Sequence, residues 1–106
     1  MDNEQPMIGI YRITCIVTGQ SYIGQSKDIK RRWLEHERML QNNEHHSKKL
    51  QMAYNRWGPL NFIKTIVKLV PRYDKKCLDK LESGFVKQFN SYYKGFNMTE
   101  NGGKIG

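Results

Sequence analysis

At 106 residues the chain has the length of one domain with one modest core. Hydrophobic residues make up 38%, mean hydropathy is −0.76, and no apolar run approaches the roughly 18 residues of a spanning helix, which excludes a helical membrane protein. Eighteen Lys and Arg against ten Asp and Glu give a net charge of +8 and a pI near 9.6, suited to a polyanionic partner but equally to an inert basic surface.

Residues 1–7 are a polar, acidic lead-in expected to fray. They have no apolar segment of signal-peptide type, so the expected location is the cytoplasm. Cys15 and Cys77 stand far apart without metal-type spacing, and both read as structural thiols. Residues 8–25 form two β-prone runs around the turn cluster Thr18-Gly19-Gln20-Ser21, the pattern of a β-hairpin. The adjacent Ile16 and Val17 interrupt the alternation and suggest a bulge near the turn.

Ser26 or Asp28 can cap a helix from about Ile29 to Asn42, with Ile29, Trp33, His36 and Leu40 on one face. A second helix runs from a Ser47 cap to Trp57, striped by Leu50, Ala53, Tyr54 and Trp57, and Gly58-Pro59 stops it. Phe62 to Val70 is apolar and β-branched. It reads as a third strand and, being little polar, as the central one. Asp74 can cap a last helix from Lys75 to Asn90, with Leu78, Leu81, Phe85 and Phe89 on its apolar face. The tail from Tyr92 is loop-like. The order ββ-α-α-β-α reads as an α+β fold: a small three-stranded antiparallel sheet flanked by helices, in a single domain over 1–106.

Glu82 is a carboxylate beside an apolar helix stripe, an unusual place for a charge without a partner. It reads either as a solvated or lysine-paired edge residue or as a metal ligand. Mg²⁺ is often held by one or two carboxylates, with waters and substrate phosphates completing the shell. Arg32 reads either as a solvated cation, like Arg31, or as a bidentate donor to a phosphate; only its i, i+4 relation to His36 sets it apart from Arg31. Tyr11 and Tyr22 are half-buried strand aromatics or proton-handling phenols. A phenolate at pH 7 costs about 4 kcal/mol, which a cation or a histidine acceptor can offset. His36 and His45 are the candidate relays.

Gly9-Ile10-Tyr11, ten residues and then Tyr22-Ile23-Gly24 resemble the signature of the GIY-YIG nuclease family. The match extends through Lys27–His36, through His45–Gln51 with Ala53, Gly58 and Phe62, and through Gly95-Phe96-Asn97, and covers about residues 8 to 103. The His45–Gln51 run resembles the intron-encoded homing branch.

The resemblance implies a DNA endonuclease that cleaves a phosphodiester with one divalent metal, Mg²⁺ or Mn²⁺, held by Glu82. Tyr11 would be the general base with His36 assisting. Arg32 would stabilise transition-state charge, Tyr22 would position water or phosphate, and His45 and Asn97 would support the site from behind. Lys27, Lys30, Arg31, Arg38, Lys48, Lys49 and Arg56 would contact the DNA backbone, which positions a strand without reading it. Gln25 departs from the small residue many members have there and is expected to alter substrate contacts more than chemistry.

Repair, restriction and homing roles all use this chemistry. Family members often add a DNA-binding domain, none is visible in this sequence, and the chain is expected to be a catalytic fragment or to act with a partner or as a dimer. A basic nucleic-acid-binding module that does not cut is the alternative. A structural or protein-interaction domain is a third reading.

Overall fold

The structure, a computed structural model, describes residues 5–100. Two strands lead, β1 (Gly9–Cys15) and β2 (Ser21–Ser26). Two helices follow, α1 (Ile29–Gln41) and α2 (Lys48–Trp57). A 3-10 turn (Pro59–Asn61) leads into β3 (Phe62–Leu69), and α3 (Lys75–Gln88) comes last. This is the expected α+β order. Residues 1–4 and 101–106 of the expected lead-in and tail lie outside the described residues. Met7 packs against the core, and its carbonyl accepts from the Ile29 N–H at 2.9 Å.

The helix ends follow the side chains that satisfy their first N–H groups. Asp28 accepts from Arg31 N, Ser47 from Leu50 N and Asp74 from Cys77 N. Asp28 rather than Ser26 is thus the α1 cap; Ser26 Oγ instead accepts from Asp28 N at 2.9 Å.

The sheet order is β2-β1-β3, antiparallel throughout. The expectation that β3 is central is corrected: it is an edge strand, and β1 lies between its neighbours. The burial of β1 explains this. Tyr11, Ile13 and Cys15 pack against Ile29 and Leu40 of α1 and Leu50 and Tyr54 of α2. Ile10, on the opposite face, joins Ile23, Leu78 and Val86 against α3. In β3, Ile63, Ile66 and Leu69 remain exposed, and Lys64 and Lys68 interrupt the run, as suits an edge. The irregularity in β1 falls at Ile10/Tyr11, opposite β3, and not near the hairpin turn. Ile16 and Val17 are exposed turn residues.

The fully buried line of α3 is Leu78–Glu82–Val86, at i, i+4 and i+8. The expected face of Leu81, Phe85 and Phe89 is its half-buried flank. A carboxylate therefore sits at the centre of a buried helix stripe.

Candidate active site

A cavity of about 260 Å³ straddles the edge strand β2. Tyr22, Gly24 and Gln25 of β2 line it with Tyr11 of β1, Arg32 of α1 and Glu82 of α3. His46 and the tail residues Asn97, Met98 and Thr99 complete the wall. Tyr11, Tyr22, Arg32 and Glu82, far apart in sequence, thus share one space. His36 and His45 are buried behind Tyr11.

The two motif glycines are there for close approach. Tyr11 pairs with Gly24 across the hairpin. A Cβ on Gly24 would lie 2.4 Å from both Cζ and Oη of Tyr11, so the phenol reaches the cavity over a strand with no side chain in its path. A Cβ on Gly9 would lie 1.9 Å from the Lys68 carbonyl oxygen of β3. Gly24→Ala should lower unfolding free energy by about 1–3 kcal/mol, through overpacking. It should also slow any reaction at Tyr11 by displacing the ring. Urea denaturation beside an activity assay checks both, and a variant of unchanged stability and rate would refute the packing argument.

A chain of hydrogen bonds fixes the protons behind Tyr11. The Ser47 backbone N–H donates to His45 Nδ1 at 2.9 Å. Burial, then the neighbouring His46 and Arg32, lower the His45 pKa to about 4. Burial, then Arg32, His45, His46 and Lys64, lower that of His36 to about 2. Both rings are therefore neutral near pH 7 and carry one proton each. With its Nδ1 accepting, His45 holds its proton on Nε2 and donates to His36 Nδ1 at 2.7 Å. His36 in turn holds its proton on Nε2 and donates to Tyr11 Oη at 2.6 Å. The hydrogen of Tyr11 must therefore point away from His36.

The loop carrying this chain is pinned from both sides. Gln51 accepts from His45 N and donates to the Leu40 carbonyl, each at 3.0 Å, and Ser47 Oγ donates to the Phe96 carbonyl at 2.6 Å.

Burial is the largest influence raising the pKa of Tyr11, followed by Tyr22, while Arg32 opposes it. Burial and then Glu82 push Tyr22 up to about 12. Both are phenols in the bare chain. Burial works against the Arg32 charge, yet Tyr11 and Glu35 outweigh it and its pKa is raised. Arg32 Nη1 donates to Glu35 Oε1 at 2.9 Å and is half-buried, unlike the exposed Arg31.

Glu82 is 3% exposed. Gln25 Nε2 donates to its Oε1 at 2.6 Å and to Asp79 Oδ1 at 2.8 Å. Gln25 thus lines the cavity and also touches the candidate metal ligand. Asn97 Oδ1 accepts from Ile23 N at 2.8 Å and from Ser91 Oγ at 2.6 Å, while its Nδ2 donates to the Ile23 carbonyl at 2.9 Å. It stands in for a further strand at Ile23, between Tyr22 and Gly24, and so holds the cavity-lining strand.

The basic candidates divide. Lys27 and Arg31 lie with Arg32 around a neighbouring depression, and Lys30 is exposed on the same turn of α1. Lys49 donates to the Tyr92 carbonyl at 2.7 Å, and Arg56 stacks 4.9 Å from the Trp57 ring centroid. Arg38, Lys48, Lys49 and Arg56 do not line the cavity. His46, not singled out from the sequence, does, and its Nε2 lies 2.9 Å from Tyr22 Oη. Its place beside His45 was the one available signal.

A family model described as the GIY-YIG catalytic domain matches residues 7–97. The chain belongs to that family and is a GIY-YIG nuclease domain. It is 33% identical over 92 residues to intron-associated endonuclease 1 of Enterobacteria phage T4, a match covering 87% of this chain and 37% of that protein. The chain thus spans little more than a third of that relative. Two solved structures of the catalytic domain of the intron (homing) endonuclease I-TevI share the fold. One, a point mutant, superposes with a TM-score of 0.85 at 29% identity, covering 94% of this chain and 99% of the other. The second gives 0.83 at 30% identity, covering 87% and 98%.

Proposed function

We propose that the chain is a divalent-metal-dependent DNA endonuclease domain of homing type. The observation that carries this reading is the convergence of two tyrosines, a guanidinium and a buried carboxylate on one cavity of a strongly basic chain. The similarity to an intron-associated endonuclease supports DNA as substrate and a further domain as partner.

The donor set fits a hard cation. Among the described residues no group of three or more His, Cys, Asp or Glu is placed to hold a metal, so a zinc-type cage is absent there. One buried carboxylate, Glu82, suits Mg²⁺ or Mn²⁺, whose shells are completed by water and phosphate oxygens. Bound there, the cation would polarise the phosphate and lower the pKa of groups facing it, Tyr11 included.

Tyr11 is the general base in this reading. Its proton passes to solvent water on the cavity side, because His36 already donates to its oxygen and cannot accept it. The same N–H, with the facing Arg32, stabilises the phenolate that forms. The phenolate then takes a proton from the attacking water. Arg32 donates to phosphate oxygens as charge builds on them. Tyr22 holds the water or the phosphate, and Asn97 keeps β2 in place.

The test is cleavage of supercoiled plasmid with Mg²⁺ and with EDTA. Nicking or linearisation lost in EDTA is expected. Salt-sensitive binding with no cleavage at any metal concentration would leave a basic binding module instead.

A further inference from the structure

Each motif tyrosine has a histidine partner, but the two pairs are built differently. His36 is buried and its proton is placed by the chain of bonds from the Ser47 N–H. His46 is exposed at the cavity wall, with Nε2 2.9 Å from Tyr22 Oη. Its ring stacks on His45 with centroids 4.3 Å apart and planes 24° apart. Stacked faces exchange no N–H, so this contact fixes the ring without fixing its proton. His46 can therefore take either role toward Tyr22. Neutral, with its proton on Nδ1, it accepts the phenol hydrogen at Nε2. As imidazolium it donates from Nε2, and the Tyr22 hydrogen must turn elsewhere.

We propose that His46 is a positioning residue that sets the polarity of the Tyr22 hydroxyl toward the cavity. While His46 is neutral, Tyr22 donates to it and presents oxygen lone pairs to the cavity. When His46 takes a proton from solvent, Tyr22 presents its O–H there instead. A lone pair holds a water by its hydrogen; an O–H holds a phosphate oxygen. Given the endonuclease reading, on which the catalytic part of this inference rests, the neutral state is the one that steers water.

The surrounding groups are consistent with such a switch. Arg32 and His36 face His46 from α1, His45 from its own loop and Tyr22 from β2, while Glu82 of α3 acts on Tyr22. Partial burial against the neighbouring rings, and then Arg32, oppose its protonation. His36 and His45 are buried and stay neutral well below the ordinary imidazole range, whereas His46 stands at the cavity wall in reach of a proton from solvent.

Two readouts test this. The first is ¹⁵N NMR of the histidine rings in the chain without metal. At neutral pH the His46 ring should carry its proton on Nδ1. An Nε2–H tautomer would overturn the proposal. The second is the pH profile of plasmid cleavage, read only where circular dichroism shows the fold intact. His46→Gln keeps a polar amide but does not titrate, so the acid limb of kcat should move down by about one pH unit or more. His46→Ala should lower kcat about ten- to a hundredfold at neutral pH, the scale for partners that orient a reacting group, with KM unchanged. An acid limb identical in wild type and His46→Gln would also overturn the proposal. A wild-type chain that cleaves at no pH sinks the endonuclease reading instead, and the tautomer then decides this one.

Discussion

Glu82→Ala should reduce cleavage by at least about a thousandfold, roughly 4 kcal/mol of transition-state stabilisation, while the chain stays folded and still binds DNA. The size of the effect follows from the donor set. Among the described residues Glu82 is the carboxylate that lines the cavity, and Asp79, which shares the Gln25 amide with it, does not line it. Stability should change far less. Alanine is the best helix former, and the line Leu78–Ala–Val86 remains apolar. One cost is at the Gln25 amide, which loses an acceptor at 2.6 Å but keeps Asp79 Oδ1 at 2.8 Å. Single-turnover cleavage, circular dichroism and filter binding on the same preparation separate the three effects. A variant within tenfold of wild type would remove Glu82 from the mechanism. Equal loss of binding and cleavage would assign it to DNA contact rather than to a metal.

Much of this site was legible because helices and hairpins impose fixed spacings. Ile29, His36 and Leu40 recur at helical intervals and are the residues α1 buries. Glu82 was visible as a carboxylate beside an apolar stripe, although its line, shared with Leu78 and Val86, differs from the expected one. The edge position of β3 was hidden, because an apolar β-branched run reads alike in a buried strand and in an edge strand whose outer face is left uncovered. Ile63, Ile66 and Leu69 are apolar and exposed, and only the sheet order explains them. The Gln25–Glu82 and Tyr22–His46 bonds were hidden for a different reason. They join elements 57 and 24 residues apart through side-chain reach and loop conformation, to which no sequence period corresponds. The proton polarity at Tyr11 was hidden deepest, since it depends on one backbone N–H, that of Ser47.

The same buried histidines should make the fold unusually sensitive to mild acid. Burial, then Arg32 and the neighbouring His45, His46 and Lys64, lower the His36 pKa from 6.5 to about 2 in the folded chain. The unfolded chain binds a proton at its ordinary value, and the folded chain does not. The unfolded state therefore holds more protons below pH 6.5, and lowering the pH favours unfolding. The stabilisation is present in full above that value and is lost as pH falls toward the folded one, at about 1.4 kcal/mol per pH unit for His36 alone. By pH 4.5 that loss reaches about 3 kcal/mol, a large part of the 5–15 kcal/mol typical of a domain. His45 adds nearly as much down to about pH 4, where it begins to take up its own proton in the folded chain. Carboxylates act in a lower window. Glu35, held down mainly by its hydrogen bond from Arg32, and Glu37, held down by Tyr54 and Lys64 against the effect of burial, contribute stability that is lost only as pH falls below 4.5. Between pH 6.5 and 4.5 the slope therefore belongs mainly to the histidines. Urea midpoints at half-unit steps across that window should fall steadily in wild type and about half as steeply in His36→Gln, where position 36 cannot titrate and His45 remains. A wild-type midpoint that stays level from pH 7 to pH 5 would mean that His36 and His45 accept protons in place, and the fixed donor polarity toward Tyr11 would fall with it.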